Sequence, residues 1–204
     1  MDFEKGGLKK KELRKLYAEK YKRLSRDEIE RRSNAVTENL FKYIDFSGIE
    51  FVHLFLSIEE KSETDTTPII AKFRGEYPNI KLVVPRVNAK NDKLEHIQLT
   101  LQTDLTISSW GIPEPEDGEL IDEGRIDAVL VPMVCFDEGG ERVGHGKGYY
   151  DKFLSKCKAG CKKIGISMFP PVERIEDIRE FDVRLDFCVT PEKVWNFVDD
   201  KSAN

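Results

Sequence analysis

Leu13, Leu16, Tyr17, Tyr21 and Leu24 recur at helical spacing, so residues 8–24 predict an amphipathic helix with one apolar stripe. Ser25 followed by Glu28 has the form of a capping box, opening a second helix that turns Ile29, Val36, Leu40 and Ile44 toward a core. The period then changes. FVHLFL at 51–56 is a short run of β-formers and predicts a buried strand, in which His53 is expected to be a hydrogen-bonded interior histidine. Pro68 marks the first turn of a third helix, IIAKFRGEY, which Pro78 stops. KLVVPRV (81–87) predicts the next strand, and LEHIQLTL (94–101) alternates as an edge or half-exposed strand. Pro and Gly crowd WGIPEPEDG (110–118), which predicts loop. AVLVPMVCF (128–136) predicts one buried strand, followed by a turn at DEGGE. A helix from about Tyr149 to Lys156 and strands at 162–168 and 187–190 complete the series.

Strands alternating with helices predict an α/β fold, a three-layer sandwich whose mainly parallel central sheet is covered by helices on both faces. A length of 204 residues fits a single domain spanning 1–204. The net charge of −5 argues against nucleic-acid binding, which normally needs a basic face. The Lys and Arg residues between Lys9 and Arg26 are the local exception, and most of them read as a solvated helix face. No apolar run reaches the ~20 residues that cross a bilayer, so no membrane partner is expected. The N-terminal residues show no apolar leader, and the expected location is the cytoplasm. Cys135, Cys157, Cys161 and Cys188 lack a zinc-type spacing with histidine, so thiols are expected rather than a disulfide or a structural metal.

Chemistry concentrates in RVGHGKGYYD, residues 142–151. Gly144, Gly146 and Gly148 alternate between a buried strand and a helix, where the missing Cβ lets backbone N–H groups close on an anion. Arg142 and Lys147 add fixed positive charge suited to phosphate oxygens. The spacing matches neither the P-loop nor the Rossmann fingerprint. Asp151, one turn into the helix, is placed either to hold Mg²⁺ against phosphates or simply to face the positive helix end. His145 is either a pH-dependent phosphate contact or a bystander between two glycines.

RVGHGKGYYD after VPMVCFDEGGE resembles the signature of the 5-formyltetrahydrofolate cyclo-ligase family. Lys10-x-x-Leu13-Arg14, the FLS-to-ETDT stretch, Val-Pro-Arg around Pro85, SSWGIPEP and FDVRLD follow the family's order along nearly the whole chain. The resemblance implies an enzyme that uses ATP to convert 5-formyltetrahydrofolate, with or without a polyglutamate tail, to 5,10-methenyltetrahydrofolate. It implies that Lys10 and Arg14 contact the nucleotide phosphates, together with the segment Arg142, Val143, Gly144, His145, Gly146, Lys147, Gly148, Tyr149 and Tyr150. It places Mg²⁺ on Asp151 and Asp182, with Asp186 as a rival for the second position. The folate is expected against Leu56 and Trp110, with Glu63 on the pterin edge and Tyr149 or Tyr150 lining the pocket. Arg142 and Lys147 are the candidates for stabilising transition-state charge. The alternative is a non-catalytic relative that binds nucleotide or folate, and the expected state is a monomer.

Overall fold

The computed structural model describes residues 7–58, 64–88, 93–108 and 111–198. Its frame is a seven-stranded sheet in the order β11-β10-β9-β6-β1-β2-β3. The centre comprises β1 (Phe51–His53), β2 (Lys81–Asn88), β6 (Ala128–Val131), β9 (Lys162–Ile166) and β10 (Phe187–Val189), all mutually parallel. Antiparallel strands close both edges, β3 (Lys93–Leu99) on β2 and β11 (Val194–Asn196) on β10. The sheet is therefore mainly parallel, as the alternation of elements predicts, while β11 escaped the sequence pattern because VWN is too short to show a period.

The two faces sort by residue parity, as a pleated strand requires. Val52, Leu54, Leu82, Val84, Ala128 and Leu130 point to one face, beneath α2 (Arg26–Tyr43) and α3 (Thr67–Glu76). Helix α2 begins where expected, with the Ser25 side chain accepting from the Glu28 N–H. Phe41, Phe46, Phe73 and Tyr77 pack ring against ring over that face, with Phe41 and Phe73 centroids 4.7 Å apart. Phe51, Val83, Val129 and Val131 point the other way, toward Phe153 and Leu154 of α4 (Tyr149–Leu154). That second face is covered by one short helix together with turns and a β-ribbon. Helix α4 ends two residues before its expected limit.

The run 128–136 does not form one strand. Pro132 lacks the N–H that would continue the ladder, and the chain leaves the sheet there. It returns as a separate ribbon of β7 (Cys135–Phe136) and β8 (Arg142–Val143). Asp137 holds the connecting turn, accepting from the N–H groups of Gly139, Glu141 and Ile175 at 3.0 Å each. Helix α1 (Lys10–Lys22) seats Leu13 and Tyr17 on Cys135 and Val143 of this ribbon. The Pro/Gly-rich stretch is likewise not all loop. Pro113–Pro115 forms β5, paired antiparallel with β4 (Leu105–Ile107) as a hairpin outside the main sheet.

Gly165 in β9 illustrates how tight the second face is. A Cβ there would stand 2.6 Å from Met133 Cε and 2.7 Å from Leu185 Cδ1. Gly165→Val is expected to lower unfolding stability by about 2 kcal/mol through overpacking. Urea denaturation checks this, and an unchanged midpoint would refute the packing argument.

Candidate active site

In open α/β sheets the ligand crevice lies beyond the carboxyl ends of the strands, where the strand order reverses. Here that point lies between β1, whose next strand lies on one side, and β6, which lies on the other. A cleft of about 610 Å³ opens there, bounded by Leu56 after β1, Pro132 after β6 and Pro85 on β2. One end is an apolar bay formed by Phe55, Leu56, Ile58, Val87, Leu94 and Ile112. The other carries Lys10, Arg14, Arg142 and Lys147 beside Asp151 and Asp182.

The glycine array forms the cationic wall. Gly146 and Gly148 have φ of 101° and 72°, a left-handed backbone that only glycine adopts without strain. Gly146 lies against the Arg14 guanidinium, with room for ordinary contact only, so the backbone conformation rather than a clash calls for glycine there. Arg14 Nε donates to the Gly144 carbonyl at 2.8 Å, tying α1 to the array. Helix α4 has only six residues, so its end charge is small; the backbone turns and cations dominate the local field.

Two carboxylates stand behind that wall. Asp151 Oδ1 accepts from Arg142 Nη2 at 2.7 Å and from the Val183 N–H at 3.1 Å. Arg142, buried, also donates to the Val183 carbonyl and so links the array to the 182–183 segment. Asp182 Oδ2 forms a close ion pair with Lys10 and accepts the Arg179 N–H at 2.6 Å. Burial works to raise the Asp182 carboxyl, but these hydrogen bonds and the neighbouring cations outweigh it and hold it below the usual carboxylate range. The Lys10 N–H adds a bond to Asp177 at 2.7 Å, fixing the start of α1 on the same segment.

Asp151 engages the protein through Oδ1 and Asp182 through Oδ2 in these contacts, and both residues line the cleft. No group of three or more acidic, histidine or cysteine side chains suited to a metal occurs among those residues. Two carboxylates that leave most positions to water and phosphate oxygens are the donor set Mg²⁺ prefers. Asp186 stands elsewhere, accepting from the Lys163 N–H at 2.7 Å with Lys163 Nζ 3.0 Å away.

Lys10, Arg14, Leu56, Arg142, Gly144, His145, Gly146, Lys147, Gly148, Tyr149, Tyr150, Asp151 and Asp182 all line this one cleft. Val143 does not; it is buried under α1 and supports the array from below. Glu63 and Trp110 lie outside the described residues. Sequence reasoning passed over Asp177, Arg179, Phe181 and Glu114, which also line the cleft. Asp177 carried no signal beyond an acidic patch, whereas Glu114 sat in the quoted motif SSWGIPEP without a role. His53 is buried but not hydrogen-bonded, contrary to expectation: neither ring nitrogen has a hydrogen-bond partner among the described residues, and the same holds for His96, whose Nε2 stands 4.0 Å from Glu123 Oε1.

The fold and the cleft define an open, mainly parallel α/β protein whose crevice joins an apolar bay to a cationic, carboxylate-backed glycine turn. The family model for the 5-formyltetrahydrofolate cyclo-ligase family matches residues 7–191. The chain belongs to that family. A Schizosaccharomyces pombe relative named "Probable 5-formyltetrahydrofolate cyclo-ligase" is 32% identical, the match covering 92% of this chain and 97% of the relative. The Escherichia coli K12 5-formyltetrahydrofolate cyclo-ligase is 28% identical over 72% of this chain and 80% of its own length. The solved structure of Aquifex aeolicus 5,10-methenyltetrahydrofolate synthetase superposes with a TM-score of 0.78 at 31% identity, covering 96% of each chain.

Proposed function

We propose that the protein is an ATP- and Mg²⁺-dependent 5-formyltetrahydrofolate cyclo-ligase, producing 5,10-methenyltetrahydrofolate, ADP and phosphate. The observation that carries this reading is the juxtaposition, in one cleft, of apolar lining residues with a phosphate-type glycine turn and two carboxylates. Lys10, Arg14 and the N–H groups of residues 144–148 bind the phosphates. The bay, with Leu56, Tyr149 and Tyr150 and the expected Trp110 and Glu63, takes the pterin ring.

The formyl oxygen attacks the γ-phosphorus and ADP leaves. N10 then adds to the activated carbon and gives up its proton, and the carbon–oxygen bond to phosphate breaks. Such a transfer asks the protein for positioning and charge neutralisation rather than a covalent nucleophile. Lys147 supplies charge at the array. Arg142 adds charge from behind it while fixing Asp151. Asp151 and Asp182 would hold Mg²⁺, which neutralises phosphate charge when bound.

Mixing the purified protein with 5-formyltetrahydrofolate, ATP and Mg²⁺ is expected to raise the methenyltetrahydrofolate absorbance band, and omission of ATP to abolish it. A flat trace, with ATP still bound by calorimetry, would replace the enzyme with a non-catalytic binder.

A further inference from the structure

Glu114 is a carboxylate in an unusual place. It lines the cleft on its apolar side and is only 9% exposed, with Ile112, Val87 and Leu94 lining the same bay. Lone carboxylates are rarely buried in such surroundings, because desolvation penalises the charge. The nearest cation does not compensate it by direct contact. Arg86 donates Nε and Nη2 to Glu95 at 3.0 and 2.8 Å, and Nη1 to the Glu116 and Pro115 carbonyls. What reaches Glu114 is the Val87 N–H and the longer-range field of Arg86. Burial wins over both and pushes the carboxyl above the usual range.

The segment that carries it is stiff. Pro113 and Pro115 flank Glu114, fixing φ on both sides, and β5 is pinned to β4 by pairing at all three residues. A buried polar group on a pre-organised arm at the lining of a binding cleft is the arrangement that reads hydrogen-bond donors on a ligand. The reduced pterin ring offers such donors on both flanks, N3–H with the 2-amino group on one and N8–H on the other. The bay binds the ring's apolar faces, and the carboxylate reads an edge.

We infer that Glu114 is a specificity-determining residue of the folate site, its carboxylate accepting hydrogen bonds from N–H donors of the pterin ring. The inference rests on the folate reading proposed above and adds a second carboxylate to the Glu63 that the family resemblance assigns. Beyond its bond from the Val87 N–H the carboxylate keeps acceptor capacity, so a ring without donors there leaves it desolvated and under-paired and binds less well.

The test is Glu114→Gln, which preserves size but replaces one acceptor oxygen with a donor. The KM for 5-formyltetrahydrofolate is expected to rise about 10- to 100-fold, the range of one lost charged hydrogen bond. The KM for ATP and the unfolding midpoint should stay at wild-type values. Binding of 5-formyltetrahydropterin, the ring without its p-aminobenzoylglutamate tail, should weaken by the same factor. Unchanged folate KM overturns the inference, as does a variant whose ATP KM and unfolding midpoint fall out of line together, which marks a structural carboxylate. A loss seen with the tail fragment p-aminobenzoylglutamate instead of the ring overturns it too. If the wild type shows no turnover, the cyclo-ligase reading fails separately, and calorimetric binding of 5-formyltetrahydrofolate to both proteins decides. Equal affinities, or no binding to either protein, then overturn the inference.

Discussion

Asp151→Asn is expected to lower turnover about 100-fold or more while leaving the fold intact, because the change removes charge where the proposed phosphoryl transfer would need it but keeps the local hydrogen bonds. Asparagine still offers an oxygen to the Val183 N–H and to Arg142 Nη2, the two contacts that Asp151 makes through Oδ1. What is lost is the negative charge that Asp151 adds beside Asp182, and with it the ionic part of its contact with the buried Arg142. The Mg²⁺ concentration giving half-maximal rate should therefore rise sharply, with a lowered unfolding midpoint because the buried Arg142 loses its counter-charge. Arg142→Lys provides the contrast. It keeps a cation but cannot span Asp151 and the Val183 carbonyl together, so it should impair turnover and also loosen the 182–183 segment. An Asp151→Asn enzyme with wild-type kcat and unchanged Mg²⁺ dependence would remove both the metal role and the pairing with Asp182.

Much of this site was legible in the sequence because its parts obey local rules. Alternating glycines between cations announce a backbone that closes on an anion, and the array is indeed where Gly146 and Gly148 take positive φ. The i, i+4 spacing of Lys10 and Arg14 announced one helix face, and both side chains line the cleft. The sequence pattern placed the starts of α2 and of the central strands, whereas β1 and β6 end at His53 and Val131, short of the apolar runs 51–56 and 128–136. The failures have a common cause, namely that tertiary contacts decided what local pattern could not. AVLVPMVCF is uniformly apolar, so no period reveals that Pro132 sends its second half into a ribbon that serves α1. WGIPEPEDG has a loop's composition, yet Pro113–Pro115 pairs along its one available edge with β4. The choice between Asp182 and Asp186 depended on four residues of irregular chain. The fold turns Asp182 to Lys10 and Asp186 to Lys163.

The histidines show the same limit and have the larger consequence for stability. His53 and His96 sit on different strands, yet their rings lie 5.1 Å apart against α4, and His96 packs tilted against Phe153 with centroids 4.0 Å apart. Burial drives both pKa values down, with His53 well below its ordinary 6.5 and His96 to about 4. Both are therefore neutral in the folded protein, while an unfolded chain takes up protons once the pH drops below 6.5. Stability from this pair is complete above 6.5 and is lost as the pH falls, the His96 share levelling off near 4. For His96 that window amounts to about 3 kcal/mol, a large part of a typical domain's total. Asp182, whose carboxyl is held low, loses its contribution only below 3.8, so the two windows separate. Glu114 and Glu141 have raised carboxyls and work in the opposite sense on acidification, so the comparison must be between variants. Urea unfolding at about pH 7 and about pH 5 should show a marked loss for the wild type and a shallower one for His96→Phe, which keeps a ring against Phe153. An equal pH slope in His96→Phe would show that the buried pair is not the acid-sensitive element.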